Sequence, residues 1–372
     1  MVVLLVSASC AGEGIFDPAP TSTDESAVVF PNPIAVDVSA TSGKLYVLNS
    51  DGEVAYTTGS FAQVSVDATD TDNPVLTIDA MVTVEQFAAD MVLDESFAYI
   101  TSRFSSVNAA AGTPDHLYKL QIDDASLTTV DSATVGPNPF GITLDGGELF
   151  VASDEQVDRL RTEDLETVAT LDLSDITDVN TQRIEDVALD PDNGWLFVSN
   201  RGDELLVIDT DDNTLDYRIE GPNNTRGVAF GNGRVYVLEG TPASLLVFDT
   251  SALAKQETTQ LVGDATVPLL ATIPVGDNPC KVALDLTRSR AYTSNMDSND
   301  ISVIDIDLLE SVATVSLDED DIQAALADGE APCGLAVADF NGVPYVIVAN
   351  YESNNLSIIN ANTLSVVSTF PN

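Results

Sequence analysis

One unit of sequence recurs seven times between Pro31 and the C-terminus, and this repetition limits the folds that the chain can adopt. Each copy has an apolar segment that often ends in Asp, then a short turn, then a segment with an aromatic residue followed by Val, Ile or Thr. The first segments are Pro33–Asp37, Asp90–Asp94, Gly141–Asp145, Asp186–Asp190, Gly227–Gly231, Lys281–Asp285 and Gly334–Ala338. The second segments are Leu45–Asn49, Ala98–Ser102, Leu149–Ser153, Leu196–Asn200, Val235–Glu239, Ala291–Asn295 and Val346–Asn350. The copies start 41 to 57 residues apart, which suits four short strands and their turns.

The better copies also contain a third and a fourth strand-like segment, such as Ile301–Asp305 and Val312–Ser316. The first segments are continuously apolar, as expected for strands covered on both faces, and polar alternation grows in the later segments. Seven antiparallel units of this kind can close into a ring and so remove most exposed sheet edges. The sequence therefore predicts an all-β fold, a seven-bladed β-propeller of four-stranded blades with the first strand of each blade innermost.

The boundaries of the propeller follow from the last copy and from the composition before the first one. The last copy contains all four strands up to Phe370, so closure is expected to need a further contribution, for which Ala27–Phe30 is the candidate strand. A single domain is thus expected over residues 27–372. Residues 11–26 are rich in Gly, Pro, Thr, Ser and Asp and are expected to form a flexible tether.

The repeats carry a resemblance to a known family. Arg290–Asn295 followed by Asp300–Asp305, and Tyr345–Asn350 followed by Asn355–Ile359, look like YVTN β-propeller repeats. The resemblance covers nearly the whole body, most clearly from Gly136 onward and least in the first two copies. It implies the propeller fold and agrees with export, because the family is found largely in secreted, surface-layer and periplasmic proteins. It implies no particular activity, because its members serve many functions.

The first ten residues suggest how the chain leaves the cytoplasm. Residues 1–10 read as the end of an apolar signal segment followed by small residues and Cys10. They resemble a bacterial lipoprotein signal, which implies lipidation of Cys10 and a periplasmic or cell-surface location with membrane contact only through the lipid anchor. Ser7 stands where that motif prefers Leu, and no Lys or Arg precedes the apolar run. Ordinary signal cleavage and an unprocessed N-terminus therefore stay open as alternatives.

The charge of the chain restricts its partners. It contains 60 acidic and 14 basic residues, and its formal net charge is -46. Such a chain repels nucleic acid and anionic membrane surfaces over distances that salt does not screen. Nucleic acid is therefore excluded as an expected partner, and an envelope or extracellular protein or a small anionic ligand is expected instead.

The residue types that usually hold cofactors are scarce. His116 is the only histidine, so neither a multi-histidine copper or zinc site nor a Ser-His-Asp set supported by a second histidine can form. The sequence has neither a Cys-x-x-Cys-His motif for covalent haem nor a Gly-rich phosphate loop. No cofactor or metal is predicted. Asp67, Asp70 and Asp72 offer oxygen ligands for calcium, but a solvated loop is the simpler interpretation, since the glycine and distal glutamate of an EF-hand loop are missing.

Cys280 and Cys333 occupy the same place in neighbouring repeats, each after a proline and just before an innermost strand. Equivalent positions on adjacent blades lie close together near the axis. The sequence therefore favours a disulfide between blades six and seven, consistent with an oxidising compartment. Two free buried thiols, and less readily a metal or redox site, are the alternatives.

A ring of residues is expected around one mouth of the central channel. Its members are Asn32, Ala89, Phe140, Glu185, Arg226, Cys280 and Cys333, followed one step on by Asp90, Asp186 and Lys281. The side chains of Arg103, Arg183 and Arg201 are expected to approach the same face. In so acidic a chain these cations could form a funnel for a carboxylate, phosphate or sugar acid. The alternative is that they neutralise the neighbouring carboxylates and seal the channel.

Two functions are consistent with these features. The first is a non-enzymatic, lipid-anchored propeller that serves as a protein- or ligand-binding scaffold outside the cytoplasm. The alternative is a lactonase-like or sugar-acid enzyme at the channel mouth, for which Glu185, Asp186, Arg226 and Lys281 are the groups to test; this rests on analogy of fold. A purely structural envelope component is a third possibility.

Overall fold

A computed structural model of the chain describes residues 30–52, 58–103, 116–176, 184–262, 267–318 and 326–371. Over these ranges the chain forms 29 strands and no helix, and 28 of the strands make seven four-stranded antiparallel sheets. The seven-bladed all-β propeller predicted from the repeats is therefore confirmed. The described ranges contain no helix with the length and apolar character needed to span a membrane.

Each blade is built from one continuous stretch of chain, with strands numbered outward from the axis. Blade 1 contains β1 (Pro33–Val38), β2 (Leu45–Asn49), β3 (Gly59–Asp67) and β4 (Val75–Val84). Blade 2 contains β5 (Ala88–Leu93), β6 (Phe97–Ser102), β7 (His116–Asp123) and β8 (Ser126–Thr134). Blade 3 contains β9 (Ile142–Asp145), β10 (Glu148–Ser153), β11 (Gln156–Arg161) and β12 (Thr167–Asp172). Blade 4 contains β13 (Ile184–Asp190), β14 (Trp195–Asn200), β15 (Glu204–Asp209) and β16 (Thr214–Glu220).

The remaining three blades follow the same plan, and one of them carries an insertion. Blade 5 contains β17 (Thr225–Gly231), β18 (Arg234–Gly240), β19 (Ala243–Asp249) and β21 (Leu269–Pro274). Its insertion supplies β20 (Gln260–Val262), which pairs in parallel with β16 at the outer edge of blade 4. Blade 6 contains β22 (Pro279–Asp285), β23 (Arg290–Asn295), β24 (Asp300–Asp305) and β25 (Glu310–Ser316). Blade 7 contains β26 (Pro332–Phe340), β27 (Val343–Asn350), β28 (Asn355–Asn360) and β29 (Ser365–Phe370).

The ring closes by packing between complete blades. The innermost strands contact one another in the cyclic order β1, β5, β9, β13, β17, β22 and β26, and β26 returns to β1. A buried apolar cluster joins blades 1 and 7, and it includes Phe30, whose ring centroid lies 5.8 Å from that of Phe370. Of the strand expected to close the ring, only Phe30 is described, and residues 27–29 lie outside the described ranges.

Lys and Arg side chains form hydrogen bonds between several neighbouring blades. These bonds lie on the face of the propeller opposite the one where the innermost strands begin. There the turn between the third and fourth strands of a blade offers backbone carbonyls to a Lys or Arg of the preceding blade. The donor and acceptor pairs are Lys44 with Asp124, Lys119 with Thr162, Arg159 with Thr210, and Arg234 with Ile306. A charge-assisted hydrogen bond of this type is about twice as strong as a neutral one. Four of the 14 basic residues thus have structural partners between blades.

Candidate functional site

A backbone irregularity shapes the mouth of the channel. In six of the seven innermost strands the pairing register with the second strand shifts near the start, so that one residue bulges out of the ladder. The bulged residues are Ile34, Ala89, Glu185, Arg226, Cys280 and Cys333. Because a bulge re-aims its side chain away from the sheet, these residues face a shared space at the axis.

That space is a mouth cavity of about 320 Å³. Its lining includes six of the predicted binding residues: Arg103, Glu185, Asp186, Arg201, Arg226 and Lys281. Ala89, Phe140, Cys280 and Cys333 of the predicted ring also line it. Asp90 lies one layer deeper, in a lower cavity of about 220 Å³. Arg183 and Cys10 lie outside the described residues.

The predicted ring was wrong at one position. Asn32 does not line the mouth; it is buried, has a φ of 51°, and donates from its side chain to the carbonyl of Tyr351. Ile34 takes the expected place. The first repeat was aligned two residues too early, because Asp37 was matched with Asp94 and Asp285; the strand pairing makes Ser39 their equivalent and Ala35 the equivalent of Asp90 and Lys281.

Sequence reasoning also missed four lining residues: Ile34, Gly227, Met296 and Tyr351. A signal for two of them was present. Met296 and Tyr351 directly follow the second strands of blades 6 and 7, as Arg103 and Arg201 follow those of blades 2 and 4. The same rule that placed the arginines at the mouth would have placed the Met and Tyr there.

The side chains of Lys281, Asp90 and Asp186 meet across the channel, and we call these three residues the plug. The ammonium of Lys281 lies 2.9 Å from a carboxylate oxygen of Asp90 and 2.9 Å from one of Asp186. The three residues come from blades 6, 2 and 4, at equivalent positions just after the bulge. Asp186 and Lys281 line both the mouth cavity and the lower cavity, so the plug lies between them. Part of the predicted cation set is therefore engaged in neutralising channel carboxylates.

Hydroxyl groups on the second strands hold the three plug residues in place. In each case the backbone N–H of the plug residue donates to a Ser or Thr hydroxyl of the same blade. The pairs are Asp90 with Thr101 at 3.1 Å, Asp186 with Ser199 at 2.9 Å, and Lys281 with Ser294 at 3.1 Å. The other four blades have Leu48, Ala152, Leu238 and Ala349 at this position. A hydroxyl therefore occurs only in the blades that carry a charged plug residue, a correlation visible in the sequence.

Burial and the neighbouring charges have opposite effects on the pKa values of Asp186 and Lys281. Burial raises the pKa of Asp186, and the ammonium of Lys281 lowers it only in part. Burial would lower the pKa of Lys281, but the carboxylates of Asp186 and Asp90 outweigh burial and raise it. In the lower cavity, burial raises the pKa of Asp37 to about 6, opposed by a hydrogen bond from the N–H of Val38 and assisted by the charge of Asp90.

The rest of the mouth is richer in cations. Arg201 pairs with the buried carboxylate of Glu185. The guanidinium of Arg103 lies over the ring of Phe140, 3.8 Å from its centroid. The described lining residues include four cationic side chains but only two carboxylates, those of Glu185 and Asp186. The four cations are Arg103, Arg201, Arg226 and Lys281. When Asp90, which pairs with Lys281 from the lower cavity, is counted as a third carboxylate, the cationic side chains are still in excess.

The two cysteines form part of the same wall. Cys280 and Cys333 are joined by a disulfide with a Cα separation of 5.2 Å. Both line the mouth cavity, where Cys280 is partly exposed and Cys333 is 3% exposed. The bond connects blades 6 and 7 where their innermost strands begin.

Other surface cavities keep the acidic character of the chain. One of about 330 Å³, beside the blade 5 insertion, is lined by Asp172, Asp175, Asp216 and Glu257 without a basic residue among its described lining. Another of about 590 Å³ contains Lys44, which lies 3.1 Å from a carboxylate oxygen of Asp79. The cationic excess therefore distinguishes the mouth cavity from these two.

The calcium hypothesis is still a prediction. The carboxylate of Asp67 accepts the N–H of Thr69, and that of Asp70 accepts the N–H of Asp72, as in an ordinary loop. Over the described ranges, no group of three or more His, Cys, Asp or Glu side chains is arranged to hold a metal ion.

Comparisons with known proteins support the fold alone. The chain is similar to the structure titled Kuenenia stuttgartiensis hydrazine synthase, with a TM-score of 0.65 and 18% identity over 89% of this chain and 96% of that one. It is also similar to a functionally unknown protein from Desulfotomaculum acetoxidans DSM 771, with a TM-score of 0.61 and 12% identity over 84% and 92% of the two chains. No family model matches the sequence. No curated protein matches it either.

Proposed function

We propose that this chain is an exported, lipid-anchored propeller that binds a small organic anion, such as a carboxylate or sugar acid, at the mouth cavity without chemically transforming it. The observation that carries the proposal is the excess of cationic side chains in the mouth cavity of a chain with 60 acidic and 14 basic residues. A cavity whose charge opposes that of the surrounding surface concentrates ligands of the opposite sign.

The shape and composition of the cavity fit such a ligand. A volume of about 320 Å³ lies at the small end of the usual range for ligand sites. Ile34, Phe140, Met296 and Tyr351 provide apolar and aromatic surface beside the arginines. A ligand with an apolar body and a carboxylate head could therefore satisfy both parts of the wall.

Arg226→Gln is expected to weaken the binding of a small organic anion at least about tenfold, the loss of one charge-assisted hydrogen bond of ~1.5 kcal/mol. Titration calorimetry with a panel of monocarboxylates, dicarboxylates and sugar acids, each beside its neutral amide or neutral sugar, measures this effect. The matched control is Arg161→Gln, because Arg161 lies on the outside of blade 3 and pairs with Asp164 and Glu166. Equal affinity for acids and their neutral counterparts, or unchanged affinity in Arg226→Gln, would contradict the proposal.

The engagement of the carboxylates favours binding over catalysis. A lactonase-like enzyme needs a group at the mouth that is ready to accept a proton. Glu185 pairs with Arg201, and Asp186 pairs with Lys281. The enzyme alternative therefore lacks a specific supporting observation, although the groups proposed for it do meet at the mouth.

Lipid attachment is the part of the proposal that rests on Cys10, and a bacterial host can test it. In a radiolabelled-palmitate experiment the wild-type chain is expected to take up label and to fractionate with membranes. Cys10→Ser is expected to lose both properties, because two acyl chains are needed for stable anchoring and this cysteine would carry them. Label that persists in Cys10→Ser would place the acyl chain on another residue, whereas a soluble unlabelled wild type would leave signal cleavage or an unprocessed N-terminus as the explanation. Membership of the YVTN repeat family also stays a proposal.

A further inference from the structure

We infer that the disulfide between Cys280 and Cys333 is a site of thiol–disulfide exchange, at which a small anionic thiol enters the mouth cavity and forms a mixed disulfide with Cys280. The inference rests on the cationic mouth of the proposed function, but it concerns a covalent modification that anion binding alone does not require. Most disulfides between blades would serve stability only. The position of this one inside a ligand-sized cavity distinguishes it.

The mouth cavity gives a small thiol access to the disulfide. Both cysteines line the mouth cavity, and Cys280 is partly exposed whereas Cys333 is 3% exposed. Thiol–disulfide exchange requires that the attacking thiolate reach one of the two sulfurs. Cys280 is therefore the sulfur that a thiolate in the cavity can approach, and Cys333 is the leaving group.

The charge of the mouth cavity favours a reaction between thiolates. The attacking species and the leaving group are both thiolates, which are stabilised near Lys and Arg side chains. Cys280 directly precedes Lys281, and Arg103, Arg201 and Arg226 line the same cavity. The acidic surface repels an anionic thiol at a distance, but inside the cavity the cationic side chains stabilise an anionic thiol and disfavour a cationic one.

The reaction balances without another oxidant. The thiolate of the small thiol attacks Sγ of Cys280, a new S–S bond forms, and the bond to Cys333 breaks with its electron pair going to Sγ of Cys333. A second thiolate then attacks the sulfur of the bound thiol and releases Cys280 as a thiolate. Two small thiols are thereby oxidised to one disulfide, and the two protein sulfurs gain two electrons.

The modification has a consequence for the site. The mixed disulfide on Cys280 would place the attached group inside the mouth cavity, where it competes with any bound anion. Exchange also releases the covalent link between blades 6 and 7 beside Arg226 and Lys281. The same event is therefore expected to block anion binding and to loosen the cavity wall.

The test compares two small thiols of opposite charge on the full oxidised chain. 2-Mercaptoethanesulfonate and 2-mercaptoethylamine are supplied at equal thiolate concentrations, the reaction is quenched with acid, and peptide mass spectrometry locates the adduct. At low salt the anionic thiol is expected to react about tenfold faster or more, with the first adduct on Cys280. High salt and Arg226→Gln are each expected to reduce this preference, whereas Arg161→Gln should retain it.

Three outcomes would overturn the inference. They are a faster reaction with the cationic thiol, a first adduct on Cys333, and a rate that does not depend on thiol concentration because unfolding must come first. Calorimetry with organic anions on the same preparation separates the two proposals. A thiol preference without anion binding leaves the exchange site intact and contradicts the proposed function, whereas anion binding without exchange contradicts the inference alone.

Discussion

Lys281→Met is expected to lower the free energy of unfolding by about 3 kcal/mol above neutral pH. The ammonium of Lys281 lies 2.9 Å from oxygens of both Asp90 and Asp186, whose side chains are 14% and 8% exposed. Met retains much of the volume, but it leaves two carboxylates of like charge close to each other in a narrow channel. The expected cost lies at the low end of the range for breaking a buried pair, because the Lys281 side chain keeps 26% of its exposure.

The deficit in the free energy of unfolding of Lys281→Met, relative to wild type, should depend on pH. Without the cation, Lys281 no longer opposes the effect of burial, so the pKa of Asp186 in the folded variant lies further above that in the unfolded chain and the folded variant binds more protons in the interval between them. Stability of the variant therefore rises as pH falls through the raised value, and the deficit should be smallest below about pH 4. Urea denaturation of wild type and variant at a series of pH values measures this difference.

A matched set of variants separates charge from packing at the plug. Replacing Lys281 by Met together with Asp90→Asn and Asp186→Asn should recover most of the lost stability, since a neutral set leaves no uncompensated charge. Asp37→Asn in the Lys281→Met background should recover less, because Asp37 lies beneath the plug and does not contact Lys281 within salt-bridge distance. A deficit that is constant with pH, or that persists in the fully neutral variant, would show that Lys281 acts through packing.

Gly227→Ala is expected to destabilise the chain by about 3 kcal/mol, through steric conflict between blades 5 and 6. A Cβ at Gly227 would lie 2.7 Å from the carbonyl oxygen of Cys280 and 2.9 Å from Cα of Lys281. Both atoms belong to the backbone of the next blade, so no side chain can rotate to make room. The melting temperature and the urea midpoint of the variant report the effect.

The control is a glycine whose substitution strains the backbone without creating a contact. Gly233 has a φ of +70° and no atom within 4 Å of the position its Cβ would take. Gly233→Ala is expected to cost only about 1 kcal/mol, the ordinary penalty for a side chain in the left-handed region. If Gly227→Ala destabilised the chain no more than Gly233→Ala, the backbones of blades 5 and 6 would be able to move apart at the mouth at little cost. That result would contradict the steric prediction.

The glycine at this position is part of an alternating pattern around the axis. The seven equivalent residues are Ala35, Asp90, Gly141, Asp186, Gly227, Lys281 and Gly334. A Cβ at Gly141 or Gly334 would also lie within 3.0 Å of backbone atoms of the following blade. The blades that carry the charged plug residues thus alternate with blades in which glycine permits close approach. Substitution at Gly141 or Gly227 should therefore disturb the plug as well as the packing, because the atoms met there belong to Asp186 and Lys281, whereas Gly334 approaches Ile34 and Ala35.

Local sequence determined the blade count, the order of strands and most of the residues at the mouth. Each repeat encodes its own sheet through apolar segments and turns, and six of the seven repeats were aligned correctly from those segments alone. The first repeat was misaligned by two residues, because Asp37, which lies within its first strand, was taken for the Asp that ends this segment in other copies. Ile34 was therefore missed and Asn32 wrongly included.

Tertiary structure decided which of these residues touch. Lys281 is separated from Asp90 by 191 residues and from Asp186 by 95, so no local pattern could pair them. Only closure of the ring brings blades 2, 4 and 6 together at the axis, and only the bulges direct the three side chains to one point. The sequence alone determined that the chain forms a seven-bladed propeller with charged residues at its centre. The tertiary structure decided that part of this charge forms a plug and that the remaining cations face a cavity, because those contacts depend on the distances between blades.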